Sequence, residues 1–402
     1  MASLHKLRIA VIAMADTYTD CDFASATTKY LHNIIDRPAI DYPLRTGLDM
    51  GAEVFLVSPH IQLKSVSERL ACDFMTPEDA HVYLAKLGEE PLLIIPADIP
   101  SISSKSLSHL WEFHANSNSP LTYYTSDQHN EKYSPYITSA NKFAPLSSLI
   151  KEYPGTTPAK WYPSAPQALS TRSCLATIIG NLQAQINHSH MQRGITIINP
   201  STTYIGLDAA IEQDTVIFPN TWITGSTAIA SGAVIGCNSR LHNCIVGQGS
   251  SVEYSVLVDA KIGDATSVGP FAYLRPGSVV GEGCRIGNFV EIKNSTLGDS
   301  SKAPHLAYIG DSIVGRNVNL GCGIITANYD GKTKHKTLID DDAFIGSNAN
   351  LVAPIQIGKG AFVAAGSTIT KNVEPGALAI ARAKQDTKPG YAEKLKNKPA
   401  KS

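Results

Sequence analysis

Glu291, Lys293, Lys302, His305 and Tyr308 crowd the segment NFVEIKNSTLGDSSKAPHLAYIGD, residues 288 to 311. An imidazole, with an unperturbed pKa of about 6.5, accepts a proton near neutrality, and lysines beside it suit an anionic substrate. Such a set can supply a base beside an anion clamp, but weighed alone His305 is more often an ordinary, partly exposed histidine. A second polar segment, GCGIITANYDGKTKHKT (321–337), is too long for a tight corner and carries the turn signal YDGK. It reads as a projecting loop bearing Asn328, Tyr329, Lys332, Lys334 and Lys336. Zinc is the other chemistry open to histidine. The same half of the chain supplies only His242, His305 and His335, with no close pair, and the two histidines of HLWEFH (109–114) lie on an expected helix elsewhere.

The elements that must hold these residues follow an unusual period. Ile205, Ile211, Ile217, Ile223, Ile229, Ile235 and Leu241 recur at every sixth position. Val246, Val252 and Val258 continue after a slip, followed by Ile262, Val268, Leu274, Val280, Ile286 and Ile292. Ile339, Ile345, Leu351, Ile357, Val363 and Ile369 form a last run. A period of six fits neither a helix nor an alternating strand. It fits a parallel β-helix, in which short strands form the faces of a prism and each sends one aliphatic side chain inward. Residues 288–311 and 321–337 are where this rhythm breaks.

Residues 1 to about 170 have a different grammar. RIAVIA (8–13), EVFLVS (53–58) and PLLIIP (91–96) read as buried strands, with helices expected in 38–52 and 61–70. Alternation of this kind predicts a mostly parallel, Rossmann-like α/β sheet, whose ligands bind at the carboxyl ends of its strands. Residues 174–194 read as a helix leading away. The expected organisation is an α/β unit over 1–173, a connecting helix over 174–199, the β-helix over 200–378 and a tail over 379–402.

Lys plus Arg is 34 against Asp plus Glu 35, so no net field favours nucleic acid or an anionic membrane. Seven scattered cysteines without a C-x-x-C pair argue for a reducing compartment without a disulfide framework or structural zinc. The apolar run after Lys6 and Arg8 is short and soon meets Asp16, so it reads as a first strand rather than a leader. No stretch approaches the roughly 20 apolar residues of a membrane span. The expectation is a cytoplasmic protein without membrane insertion.

GPFAYLRPG, the 288–311 and 321–337 segments, FIGSNANLVAPIQIGKGAFVAAGSTIT and ALAIARAKQ occur in order from about residue 260 to 385. Together they resemble the acetyltransferase half of the bacterial GlmU family. Its members are bifunctional glucosamine-1-phosphate acetyltransferases and N-acetylglucosamine-1-phosphate uridyltransferases. The resemblance implies a left-handed β-helix, a homotrimer with active sites between subunits, and acetyl transfer from acetyl-coenzyme A on the route to UDP-N-acetylglucosamine and cell-envelope precursors. By resemblance, His305 is the general base, and Arg275, Lys293, Tyr308, Asn319 and Lys334 hold the amino-sugar phosphate. Asn328, Tyr329, Ser347, Ala365 and Arg382 match acetyl-coenzyme A contacts, and Cys322 stands where a small alanine beside the coenzyme is usual. Pro304 stands where the pattern usually has glycine. Glu291, in the strand before His305, is expected to hydrogen-bond its other ring nitrogen and fix the tautomer.

The first half resembles the uridyltransferase domain only in traces, with Lys29 in TKYLH and Asp98 in PLLIIPADIPSIS matching a lysine and a magnesium-binding aspartate. After the first strand comes MADTYTDCDF, which lacks the glycines a phosphate cradle needs and brings Asp16, Asp20 and Asp22. MTPEDA replaces the uracil-binding segment, and ALSTRS offers Ser or Thr where a second magnesium ligand is usual. The expectation is a shortened, degenerate nucleotidyltransferase-like domain, with magnesium at Asp98 only if that domain is active. The rivals are a fully bifunctional enzyme and a non-catalytic trimeric scaffold.

Overall fold

The structure, a computed structural model, describes residues 7–14, 23, 27–125, 133–156, 158–161 and 165–396. The chain divides into two compact units, residues 1–189 with 204–207, and residues 190–203 with 208–402.

The first unit is built on a seven-stranded sheet. In chain order its strands are β1 (Arg8–Ile12), β2 (Glu53–Val57), β3 (Asp73–Met75), β4 (Pro91–Pro96), β5 (Leu121–Thr125), β6 (Tyr136–Ser139) and β7 (Ala159–Lys160). They are arranged β3-β2-β1-β4-β6-β5-β7, and β6 runs antiparallel to β4 and β5. The three expected strands are β1, β2 and β4, whose centres are almost wholly buried because helices cover both faces. The irregular helix expected at 38–52 runs Asp41–Asp49 and admits Pro43 in its first turn, where the missing N–H costs nothing. His109 and His114 lie on the helix Ser104–Ser117. Each has its Nδ1 2.9 Å from a sheet hydroxyl, Tyr124 Oη and Thr122 Oγ1 respectively, so both side chains tie that helix to the sheet.

A helix, Arg172–Gln192, leads into the second unit, a left-handed parallel β-helix of three sheets with eleven, ten and nine strands. The first sheet runs from Thr196–Ile197 to Leu378–Ala379, the second from Tyr204–Ile205 to Thr368–Ile369, and the third from Ala210–Ile211 to Ile355–Ile357. The predicted aliphatic positions point inward. Ile217, Ile223, Ile235, Leu241, Val252, Leu274, Ile286, Ile292, Ile345, Leu351, Ile357 and Val363 all show no exposure. One position is corrected: in Val256–Val258 the inward residue is Leu257, not Val258, because Asp259 makes the corner with φ 46°. A second correction matters more. Coils run straight through 288–311, where Ile292, Leu297, Ala303 and Ile309 continue the buried column, and Val314 and Leu320 carry it onward. The rhythm falters there because Ala303 is small and the corners are unequal, not because the prism stops.

Small hydroxyl residues stitch the corners. Ser250 Oγ donates to the Gly263 carbonyl and accepts from the Thr266 N–H, and Thr266 Oγ1 donates to Gly281 and accepts from Cys284 N–H. Ser301 Oγ repeats this with Gly315 and Val318. Each hydroxyl satisfies backbone groups that a corner would otherwise leave buried and unpaired, a lapse that costs about 1–3 kcal/mol apiece.

Candidate functional site

His305 closes the strand Lys302–His305 on the first sheet, with its side chain on the outer wall. Asn288 sits directly beside it one coil earlier, in register, and its Oδ1 lies 2.8 Å from His305 Nδ1. A neutral ring that donates its Nδ1–H to this oxygen keeps Nε2 as a free lone pair facing outward, the tautomer a proton acceptor needs. Glu291 does not fill that place. It lies on the second sheet, in register with Tyr308, and its Oε1 accepts from Arg275 Nη1 at 2.8 Å. Sequence order put Glu291 before the histidine; the coil closure puts Asn288 against it.

The second sheet gathers the rest of the cationic set. Tyr273, Glu291 and Tyr308 stack in one column, and Arg275 leaves the end of the strand Tyr273–Leu274. Tyr308 folds back over Gly310, where an added Cβ would lie 2.5 Å from its hydroxyl and 2.8 Å from the Asn328 amide. That glycine is therefore what lets Tyr308 and Asn328 approach. Lys293 Nζ lies 3.7 Å from Asp311 Oδ2, and Asn328 Nδ2 donates to the same oxygen. Lys334 reaches this group from the projecting loop. Its ammonium is pulled below the usual lysine range by Lys293, through hydrogen-bonding contact and charge, while Asp311 and Tyr308 pull the other way. Two ammonium groups so close favour an anion between them.

The loop itself is closed by an antiparallel bridge between Tyr329 and Lys334 and by Asp330. The Asp330 carboxylate accepts from the N–H groups of Lys332 and Thr333 and lies 2.7 Å from His335 Nε2. Those contacts, led by the Thr333 N–H, hold it far below the ordinary carboxylate range. A well-formed loop thus presents Tyr329, 61% exposed, and Lys334 to solvent.

Cys322, Ser347 and Ala365 occupy the same corner in successive coils, after the stacked residues Leu320, Ile345 and Val363. Backbones touch here: a Cβ on Gly321 would meet the Ser347 nitrogen at 2.6 Å, and one on Gly346 the Ala365 nitrogen at 2.5 Å. Arg382 returns to this corner, its Nη1 donating to the Ala365 carbonyl at 3.1 Å. The four residues assigned by resemblance to one ligand therefore share one ridge. Asn319 lies on the first sheet, one coil beyond Lys302.

In the first unit, Lys29 and Asp98 meet in an ion pair of 2.6 Å, and the Tyr30 hydroxyl lies 3.1 Å from the other carboxylate oxygen. Both side chains are buried, at the carboxyl end of β4. An ammonium of the chain itself already pairs with this carboxylate, the one residue to which the sequence reading assigned magnesium. Among the described residues no group of three or more His, Cys, Asp or Glu is placed to hold a metal. Asp16, Asp20 and Asp22 lie outside the described residues. Among those described, no helix is long and apolar enough to cross a membrane.

Two functional candidates escaped the sequence reading, Asn288 and Asp311. The signal for Asn288 is its separation of seventeen residues from His305, one full coil.

Residues 259–294 and 336–371 match the family described as bacterial transferase hexapeptide (six repeats). Among curated proteins, the Bifunctional protein GlmU of Geobacillus sp. (strain WCH70) is 52% identical over 227 residues, which is 56% of this chain and 50% of that protein. The Carboxydothermus hydrogenoformans protein of the same name is 54% identical over 203 residues, 50% of this chain and 46% of its own length. That of Clostridium novyi is 48% identical over 232 residues, 58% and 51%. The chain thus spans about half the length of the curated relatives it matches, and its resemblance to GlmU proteins is plain over that half. A solved CMP:2-keto-3-deoxy-manno-octonic acid synthetase covers 45% of the chain at 14% identity, with a TM-score of 0.34, too low to carry any argument.

Proposed function

We propose that the β-helical unit moves an acetyl group from acetyl-coenzyme A to the amine of glucosamine-1-phosphate, releasing coenzyme A and N-acetylglucosamine-1-phosphate. The observation that carries this reading is the convergence of Lys293, Tyr308, Asn328 and Lys334 on one anion-seeking cluster, in the coils that also bear an outward His305 with its Nδ1 tied to Asn288. Acetyl-coenzyme A supplies the activated thioester carbonyl. Lys293, Lys334 and Arg275 neutralise the sugar phosphate and orient the amine, which turns a collision into an aligned encounter. His305 Nε2 takes the proton the amine must shed to become nucleophilic and delivers it to the departing thiolate. The ridge of Cys322, Ser347 and Ala365 seats the coenzyme, with Asn328, Tyr329 and Arg382 as polar contacts; the sulfur of Cys322 narrows that seat relative to alanine.

The assembly belongs to the same proposal. We read the chain as a cytoplasmic homotrimer whose neighbouring prisms complete each site. Light scattering is expected to give three chains per particle. Arg382→Ala is expected to raise KM for acetyl-coenzyme A by about tenfold, the effect of one lost hydrogen bond to a charged group, with kcat nearly unchanged. A monomer of full activity, or an unchanged KM, refutes this part.

The first unit does not, on this reading, transfer uridylyl groups. With Asp98 bound to Lys29, nothing described there offers a magnesium-bridged triphosphate its second cation site. One purified sample tests both halves. Thiol release from acetyl-coenzyme A with glucosamine-1-phosphate is expected, and pyrophosphate release from UTP, N-acetylglucosamine-1-phosphate and magnesium is not. Absent thiol release overturns the first claim, and robust pyrophosphate release that Asp98→Ala abolishes overturns the second.

A further inference from the structure

Asp311 stands at a corner with φ 50°, a conformation that L side chains other than Asn and Asp seldom adopt, and it is only 9% exposed. Its side chain is fully engaged. Oδ1 accepts from Asn294 Nδ2 at 2.7 Å, Oδ2 accepts from Asn328 Nδ2, and Lys293 Nζ lies 3.7 Å away. Burial by itself pushes this carboxyl up. The hydrogen bonds from Asn294 and Asn328 and the charges of Lys293 and Lys334 outweigh it, so the group stays ionised, below the ordinary carboxylate range.

We propose that Asp311 is a positioning residue that locks Lys293, Lys334 and Asn328 into one array, so that the side of the site that holds the phosphate and the side that holds the acyl donor form together. This rests on the functional reading above. Three points support it. Asp311 is the anion that faces both ammonium groups; the groups facing Lys334 are Lys293, Asp311 and Tyr308. Without its charge, the repulsion between the two lysines has less to offset it. Secondly, the carboxylate meets donors on both oxygens. An amide in its place turns one oxygen into a donor that faces another donor, which breaks one of the two Asn contacts. Thirdly, Asn294 is itself held by this bond at a left-handed corner (φ 45°), so the coil before Asp311 and the loop after it are fastened through the same carboxylate.

The test is Asp311→Asn, read in two ways. The first is the titration of Lys334, followed by NMR on protein with 13C-methylated lysines and assigned with Lys334→Arg. Phosphate binding through Lys334 is present while its ammonium is charged and fades as pH rises through its pKa. Asp311 raises that pKa, so the variant is expected to titrate at a lower pH than the wild type. A purely structural role would leave it in place. The second reading is binding of inorganic phosphate and of glucosamine-1-phosphate at a pH just below the wild-type midpoint, both expected to weaken about tenfold. An unmoved Lys334 titration with unchanged anion binding overturns the proposal. Should the variant fail to fold, the cycle of Lys293→Met and Asn328→Ala in the native background decides: coupled effects on phosphate binding support a shared anchor, and strictly additive effects refute it. If the wild type acetylates no sugar phosphate, the functional reading fails while the titration and phosphate binding still judge Asp311.

Discussion

Replacing His305 by alanine is expected to lower kcat for acetyl transfer by about 10²–10⁴, the usual range for a lost general base, and to leave the fold intact. The side chain lies on the exposed outer wall and its hydrogen-bond partner, Asn288, is half-buried and able to turn to water. Neither loss opens a cavity, so the melting temperature should move little. A companion change separates base from orienter. Asn288→Ala keeps the imidazole but frees its tautomer, so it should cost less than the loss of the ring itself. The measurement is single-turnover acetyl transfer, together with circular dichroism to confirm folding. Undiminished transfer in folded His305→Ala protein removes the histidine from the mechanism.

The second large effect is expected from a residue that touches no substrate. Gly287 is buried, and a Cβ there falls on the carbonyl and Cα of Pro304, the residue before His305. These are backbone atoms of a stacked coil, not the end of a flexible side chain. Pro304 cannot yield by rotating its own φ, which its ring fixes. Gly287→Ala should therefore push the 302–305 strand outward and carry His305 with it. The expected stability loss is about 3 kcal/mol, the upper end for overpacking, read as a lower urea midpoint. A fall in kcat of at least about tenfold should accompany it, since misplacement by about 1 Å is enough. Substituting Gly232, where a Cβ meets nothing within 4 Å but φ is 69°, gives a control strained only by its own backbone. Equal effects at the two glycines would refute the steric argument.

Much of this architecture was legible in the chain because a six-residue period has one structural meaning. Inward residues such as Ile292 and Ile345 follow from spacing alone. What the period does not tell is which residues of different coils lie side by side. Glu291 precedes His305 in sequence and shares its chemistry, yet the coil closes so that Asn288 meets the ring and Glu291 meets Arg275. Asp311 reads as an ordinary corner residue, since only the stacking of Lys293, Asn294 and Asn328 around it reveals a hub. The same limit explains the apparent break at 288–311: Ala303 is inward and fully buried, but a small residue carries no hydrophobic signal. In the first unit, the pairing of Lys29 with Asp98 joins residues far apart in sequence, and no local pattern announces it.

The register of the prism has a further consequence. Ile229, Val246, Ile262 and Val280 lie directly over one another although the chain takes unequal lengths to return to each. Leu320 likewise stacks on Ile345 across the long excursion that carries Asn328 and Lys334. The treads of this staircase are fixed, while its landings accept extra residues. Insertions at a landing leave every tread in place, unlike an insertion within an ordinary strand, which turns all later side chains to the opposite face. Length can therefore be added at one corner without shifting the treads on either side, and the 328–336 excursion is such an addition, tied back to the prism through Asn328 and Asp311.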